Sequence, residues 1–197
     1  MRVTLLDTGA GNLHSLGRAL QACGATVDVQ TEPRRCLRAD ALVLPGVGAF
    51  APAAEALAPG RAELAQALRE GLPCLAICLG LQLLLSSSEE GAGEGLALLP
   101  GRVERLRGRR VPHMGWNTLE GEDSLLGASG LTAAYYAHSY WCRLDDMGAV
   151  RAVSLHEEFR IPALVRTART VGVQFHPEKS GRAGRSFLAR VLEEFQQ

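Results

Sequence analysis

The 197-residue chain is almost without lysine: Lys179 is the only one, and arginine fills every other basic position. Arginine in place of lysine is no dependable mark of heat adaptation, so the location of Lys179 matters more than its rarity. Net charge is missing as well. The 21 basic residues offset 21 acidic ones, and nothing in the overall field calls for nucleic acid or an anionic membrane. No apolar run reaches the ~18 residues of a membrane span, and Met1 leads straight into a strand pattern. Neither a signal peptide nor a membrane helix is therefore expected, and a soluble cytoplasmic protein is. Five cysteines, mostly in apolar surroundings, lack the even count of a disulfide framework and suit reduced thiols. No break in composition divides the chain, and 47% hydrophobic residues suffice for a core, so one domain over 1–197 is expected.

What is present is organised around Gly71–Leu85. Cys74 to Ile77 is a short apolar run opened by Gly71 and Pro73, the length and punctuation of a buried parallel strand, and Leu79 to Leu85 continues as an apolar helix. Cys78 falls at the junction, on a tight turn for which Gly80 leaves room. The N–H groups at the start of the helix point at it, as in a nucleophile elbow, a setting that suits an anionic sulfur. A thiol in an apolar run is ordinarily buried and inert, so the elbow needs partners elsewhere in the chain.

Arg2 to Asp7 reads as a strand, Gly9 to Asn12 as a turn, and Leu13, Leu16, Leu20 and Cys23 recur at helical spacing until Gly24, with Asn12 as N-cap and Gly24 as the stop. Gly9-x-Gly11 is not a dinucleotide fingerprint, because the third glycine would fall at His14. Thr26–Gln30 and Ala41–Leu44 are further strands. The latter ends at Pro45-Gly46-Val47-Gly48, and ligands bind at that carboxyl edge of open parallel sheets, where glycine frees N–H groups to face an anionic oxygen. Helical stretches follow at Pro52–Leu57 and Arg61–Glu70. Ser86 to Gly95 reads as a surface loop with Glu89 and Glu90 solvated. Shorter β pieces come next: Arg102–Leu106, Ala133–Trp141, Arg151–Leu155, Ala163–Thr167 and Thr170–Phe175. A last helix buries Phe187, Leu188, Val191, Leu192 and Phe195. The basic run at Arg102, Arg105, Arg107, Arg109 and Arg110 reads as a solvated loop or edge strand. Pro112 to Asn117 lacks a helix or strand period and has the composition of a contact surface, with Trp116 either exposed or in the core.

His176 and Glu178 lie two residues apart across Pro177, just past a strand. In extended chain that spacing puts both side chains on one side, so the carboxylate can bond one imidazole nitrogen and leave the other for a thiol. Cysteine, histidine and glutamate then form a nucleophile, base and orienter set.

Pro45–Gly48, Leu75–Gln82 and Gly172–Glu178 together resemble the three motifs of class I (triad-type) glutamine amidotransferases. Asp7-x-Gly9-x-Gly11-Asn12-Leu13, Pro112–Asn117 and Lys179-Ser180 resemble, within that class, the glutaminase subunits of imidazole glycerol phosphate synthases. The likeness spans essentially the whole chain. Ala76 stands where a glycine is common and Thr8 where an aromatic residue is frequent, and neither change removes a reacting group. The resemblance implies a flavodoxin-like α/β fold, a single-domain open, mostly parallel sheet with helices on both faces. It also implies glutamine hydrolysis by Cys78, His176 and Glu178, with an oxyanion hole from Gly46, Val47, Gly48 and Leu79. Gln82, Glu90, Ser139 and Tyr140 would hold glutamine. No cofactor or metal is implied. Ammonia would pass to a (β/α)8-barrel cyclase subunit in a heterodimer, for imidazole glycerol phosphate and aminoimidazole carboxamide ribonucleotide synthesis on the histidine pathway. Trp116, Asn117, Tyr135 and Lys179 match docking or gating positions, and a peptide of the 46–48 loop could swing to gate the oxyanion donor. The residues alone also admit a cysteine peptidase or γ-glutamyl hydrolase, a binding module with an inert Cys78, or a zinc site from Cys74, Cys78 and His176, although Cys-x3-Cys lacks the usual closed zinc spacing.

Overall fold

The computed structural model describes residues 1–9 and 13–197. Its strands, in chain order, are β1 (Arg2–Leu6), β2 (Thr26–Gln30), β3 (Ala41–Leu44), β4 (Cys74–Ile77), β5 (Gly101–Arg105), β6 (His113–Thr118), β7 (Glu120–Gly121), β8 (Ala133–His138), β9 (Tyr140–Leu144), β10 (Val150–His156), β11 (Phe159–Thr167) and β12 (Thr170–Val173). The α-helices are α1 (Leu13–Ala22), α2 (Phe50–Leu57), α3 (Arg61–Arg69), α4 (Leu79–Gln82), α5 (Ser124–Ser129) and α6 (Gly181–Phe195). The expected N-cap Asn12 lies outside the described residues. Gly24 does end α1, at φ +86°.

The main sheet runs β2-β1-β3-β4-β12-β11-β10-β7. The first five are parallel, in the flavodoxin-like order, and the last three are added antiparallel. Apolar runs without alternation work here because both faces are covered. Ala41, Val43, Leu75 and Ile77 pack on one side with Leu16, Leu20, Phe187 and Leu188 of α1 and α6. Leu42, Leu44, Cys74 and Ala76 pack on the other with Phe50, Leu57, Leu64 and Leu68 of α2 and α3.

Three local expectations are corrected. The helix after Cys78 is a single turn, not seven residues, because the carbonyls of Leu83 and Leu84 accept hydrogen bonds from the N–H groups of Leu96 and Leu98 at 2.7 and 2.8 Å and leave the helical ladder. The segment 133–141 is two strands in different two-stranded sheets: β8 pairs with β6 and β9 with β5, and Ser139 separates them. Pro112–Asn117 contains strand β6, hidden in the pattern because its apolar Met114 and Trp116 are 63% and 60% exposed.

Candidate active site

Cys78 sits between β4 and α4 at φ 48°, ψ −102°, a conformation that a side chain rarely adopts and that costs about 1–3 kcal/mol unless the surroundings hold it. They do. Its N–H donates to the Val173 carbonyl at 2.6 Å, and its carbonyl accepts from the Gln82 N–H at 3.0 Å. Gly46 is required beside it, because a Cβ there would lie 2.7 Å from the Ile77 carbonyl oxygen and 3.0 Å from the Cys78 Cβ. With α4 only one turn long, no long helix dipole faces the sulfur.

His176 is fully buried, and its Nδ1 is 2.8 Å from Glu178 Oε1. The contact does not form along an extended dipeptide as the spacing suggests. Pro177–Lys179 is a 3-10 turn that folds the carboxylate back onto the ring. Nε2 has no hydrogen bond of ordinary geometry, but it lies close enough to the Cys78 sulfur for that atom to favour its protonation. Burial opposes charge on this imidazole, but the Cys78 sulfur and the Glu178 carboxylate outweigh it and push the pKa up to about 9.

The backbone of His176 is stitched to Tyr135. Its N–H donates to the Tyr135 carbonyl at 2.8 Å, and its carbonyl accepts from Ser180 Oγ at 2.6 Å, while Ser180 Oγ accepts from the Tyr135 N–H at 3.0 Å. A serine thus stands in for the second rung of an antiparallel ladder. Gln174, fully buried, donates from Nε2 to Cys78 Sγ at 3.5 Å. Neither Gln174 nor Ser180 stood out by residue type. The i, i+2 spacing of Gln174 and His176 was the available signal for the former.

A cavity of about 330 Å³ opens on the sulfur, lined by Gly46, Val47, Gly48, Cys78, Leu79, Gln82, Glu90, Ser139 and Tyr140 among others. All the residues expected for the oxyanion hole and for glutamine binding are therefore brought together. His138 and Met114 also line the cavity and were not anticipated. Gln82 is held by Nε2 donating to the Tyr140 carbonyl at 2.9 Å. Glu90 is half-buried rather than solvated, because it accepts the Phe50 N–H at 2.7 Å and ties the first residue of α2. The Leu79 N–H is directed at the Gly46 carbonyl at 3.5 Å, so in this arrangement that oxygen occupies the donor's direction.

Trp116, Tyr135 and Lys179 lie apart from this cavity, near the back of the histidine. The rings of Trp116 and Tyr135 meet edge-on at 6.4 Å, and a Cβ on Gly181 would be 3.7 Å from Trp116 Cη2. Lys179 is exposed on the adjoining turn. Asn117 is half-buried and donates to the Leu155 carbonyl at 2.7 Å. The zinc reading fails on geometry, since Cys74 packs in the core on the opposite face of the sheet from Cys78, and burial pushes its thiol well up. Among the described residues no helix is long and apolar enough to cross a membrane.

The "Glutamine amidotransferase class-I" family matches residues 4–194. The imidazole glycerol phosphate synthase subunit HisH of Halobacterium salinarum is 43% identical, over 97% of this chain and 92% of the relative. The protein of the same name from Corynebacterium diphtheriae is 41% identical, over 98% of each. Among solved structures, PurLQS from Thermotoga maritima superposes with a TM-score of 0.75 at 19% identity, over 98% of each chain, and supports the fold alone.

Proposed function

Because the chain belongs to the class-I glutamine amidotransferases and, within them, to the HisH subunits of imidazole glycerol phosphate synthase, we propose that Cys78, His176 and Glu178 hydrolyse glutamine to glutamate and ammonia for a synthase partner. One observation carries this reading: a strained cysteine lining a cavity, with a glutamate-paired imidazole beside it. The Cys78 thiol proton passes to His176 Nε2, whose raised pKa lets it hold the proton, and Sγ then attacks the side-chain amide carbon of glutamine. The tetrahedral adduct collapses when that proton passes to the leaving nitrogen, which departs as ammonia and leaves a glutamyl thioester. Water then attacks the thioester, its proton goes to His176, and glutamate leaves as the sulfur regains the proton. Glu178 holds the ring through Nδ1 so that Nε2 faces the reacting atoms. Gln82, Glu90, Ser139 and Tyr140 hold the amino acid, and Leu79 with the Gly46–Gly48 loop supplies oxyanion donors.

The chain is one subunit of an assembly, and its partner is a (β/α)8-barrel cyclase that takes the ammonia into imidazole glycerol phosphate synthesis. Trp116, Asn117, Tyr135 and Lys179 form the docking and gating face. Replacing Cys78 by alanine abolishes glutamine-dependent turnover of the complex and leaves turnover with added ammonium salt. Equal loss of both activities rejects the triad.

The Gly46 carbonyl in front of the Leu79 N–H favours a gate as well. Partner docking swings a peptide of the 46–48 loop and frees the donor. A missing donor costs ~3 kcal/mol of transition-state stabilisation, so the isolated chain hydrolyses glutamine at least ~100-fold more slowly than the loaded complex. Equal rates refute the gate.

A further inference from the structure

Behind the glutamine cavity, three buried histidines and a tyrosine pack together, and their hydrogen-bond directions are fixed by elimination. The Tyr140 carbonyl can only accept, so His138 Nδ1, 2.9 Å away, carries the hydrogen. In the neutral ring Nε2 is then an acceptor, and its neighbour His113 Nδ1, at 3.0 Å, must donate. That leaves His113 Nε2 as an acceptor for Asn117 Nδ2 at 3.1 Å. Asn117 is oriented independently, because its Oδ1 accepts from the Thr118 N–H at 2.8 Å. All three N–H vectors thus run one way, from Asn117 on β6 to Tyr140 on β9. Protonation of either ring would set two donors face to face. Burial holds both neutral, moving His113 down to about 4, with His156 and Arg110 adding to the effect. For His138 burial and the neighbouring His113 lower the pKa to about 3.

The rings cannot turn. His113 is stacked between Tyr136 at 4.4 Å and His156 at 4.1 Å. Those two are anchored in turn: Tyr136 Oη to Ser154 Oγ at 2.6 Å, and His156 Nε2 to the Arg110 carbonyl at 2.7 Å. The chain of bonds ends where it meets the cavity, since the same Tyr140 carbonyl also accepts the Gln82 amide. Two donors, one from each side, therefore set the orientation of one peptide and of one side chain that line the substrate cavity.

We infer that His113 and His138 are positioning residues for glutamine binding, a neutral one-way relay that registers the Tyr140 carbonyl and the Gln82 amide against strand β6 and its Asn117. This rests on the glutaminase reading above. Loss of the His138 donor leaves the peptide held from one side only, so the effect falls on substrate binding first.

The test uses the chain in complex with its synthase partner. His138→Leu removes both relay bonds, and His138→Asn keeps a donor where Nδ1 stood. His138→Leu is expected to raise the KM for glutamine roughly tenfold, the order expected from one buried hydrogen bond, with kcat changed far less and ammonia-supported turnover unchanged. His138→Asn is expected to recover most of the loss, and comparable unfolding midpoints for the two variants separate positioning from misfolding. A KM within twofold of the parent in His138→Leu, or no recovery in His138→Asn, overturns the inference. An unmodified complex without glutaminase activity would instead overturn the reading beneath it. In that case nitrogen-15 NMR of the ring nitrogens decides the relay by itself. Nδ1–H tautomers on both His113 and His138 at neutral pH are expected, and an Nε2–H tautomer on either ring overturns it.

Discussion

At the residue scale the charge on His176 is the decisive quantity. Burial works against it, and the Cys78 sulfur and Glu178 carboxylate still push the imidazole pKa up to about 9. A group with a raised folded pKa contributes stability that is complete below its unfolded value and is lost as the pH climbs through the folded one. Glu178→Gln removes one source of that rise. The stability advantage of the parent over this variant should be full near about pH 6 and shrink toward about pH 9, measured by urea unfolding at each pH. A gap that stays constant across that window contradicts a charged pair. Cys78, His176 and Glu178 were legible because each residue type carries its own chemistry and each sits next to turn punctuation. Gln174 carries no such flag: a neutral amide becomes part of the site only through its 3.5 Å approach to the sulfur.

Among the elements, the elbow depends on how closely α4 lies against the end of β3. A Cβ on Gly80 would collide with the Leu44 carbonyl oxygen and press on Leu44 Cβ at 2.9 Å. Backbone cannot yield as a flexible side chain does, so Gly80→Ala should cost about 2–3 kcal/mol. It should also lower activity through Cys78 even where the chain stays folded, as read from denaturant midpoints alongside glutaminase rates. The parallel half of the sheet was legible in its apolar runs and glycine stops, since strands covered on both faces need no alternation. The second half was less so. Ser139 divides β8 from β9 without proline or glycine, and nothing local records that the two strands join different sheets. The run Leu83 to Leu85 has helical composition, yet the carbonyls of Leu83 and Leu84 are claimed by Leu96 and Leu98, partners more than ten residues away.

For the molecule as a whole, the exposed apolar residues are informative by where they gather. Trp116 and Met114 stand 60% and 63% exposed on β6, Leu155 is 43% exposed on β10, and Asn117 reaches across to the Leu155 carbonyl. A half-exposed tryptophan contributes little to the fold of its own chain and much to an interface that covers it. Trp116→Ala should weaken association with the partner by ~2 kcal/mol, about 30-fold in Kd by titration, and change the unfolding free energy of the isolated chain by less than about 0.5 kcal/mol. The reverse pattern would place that ring in the core's service instead. The stitch between Tyr135, Ser180 and His176 also governs what can be exchanged among homologous chains. The tie to β8 is made by the main chain of Tyr135, so it does not depend on which side chain that position carries. Length cannot vary there, since one inserted residue between Tyr135 and Tyr140 would drag the imidazole off the sulfur or slide the cavity wall out of phase.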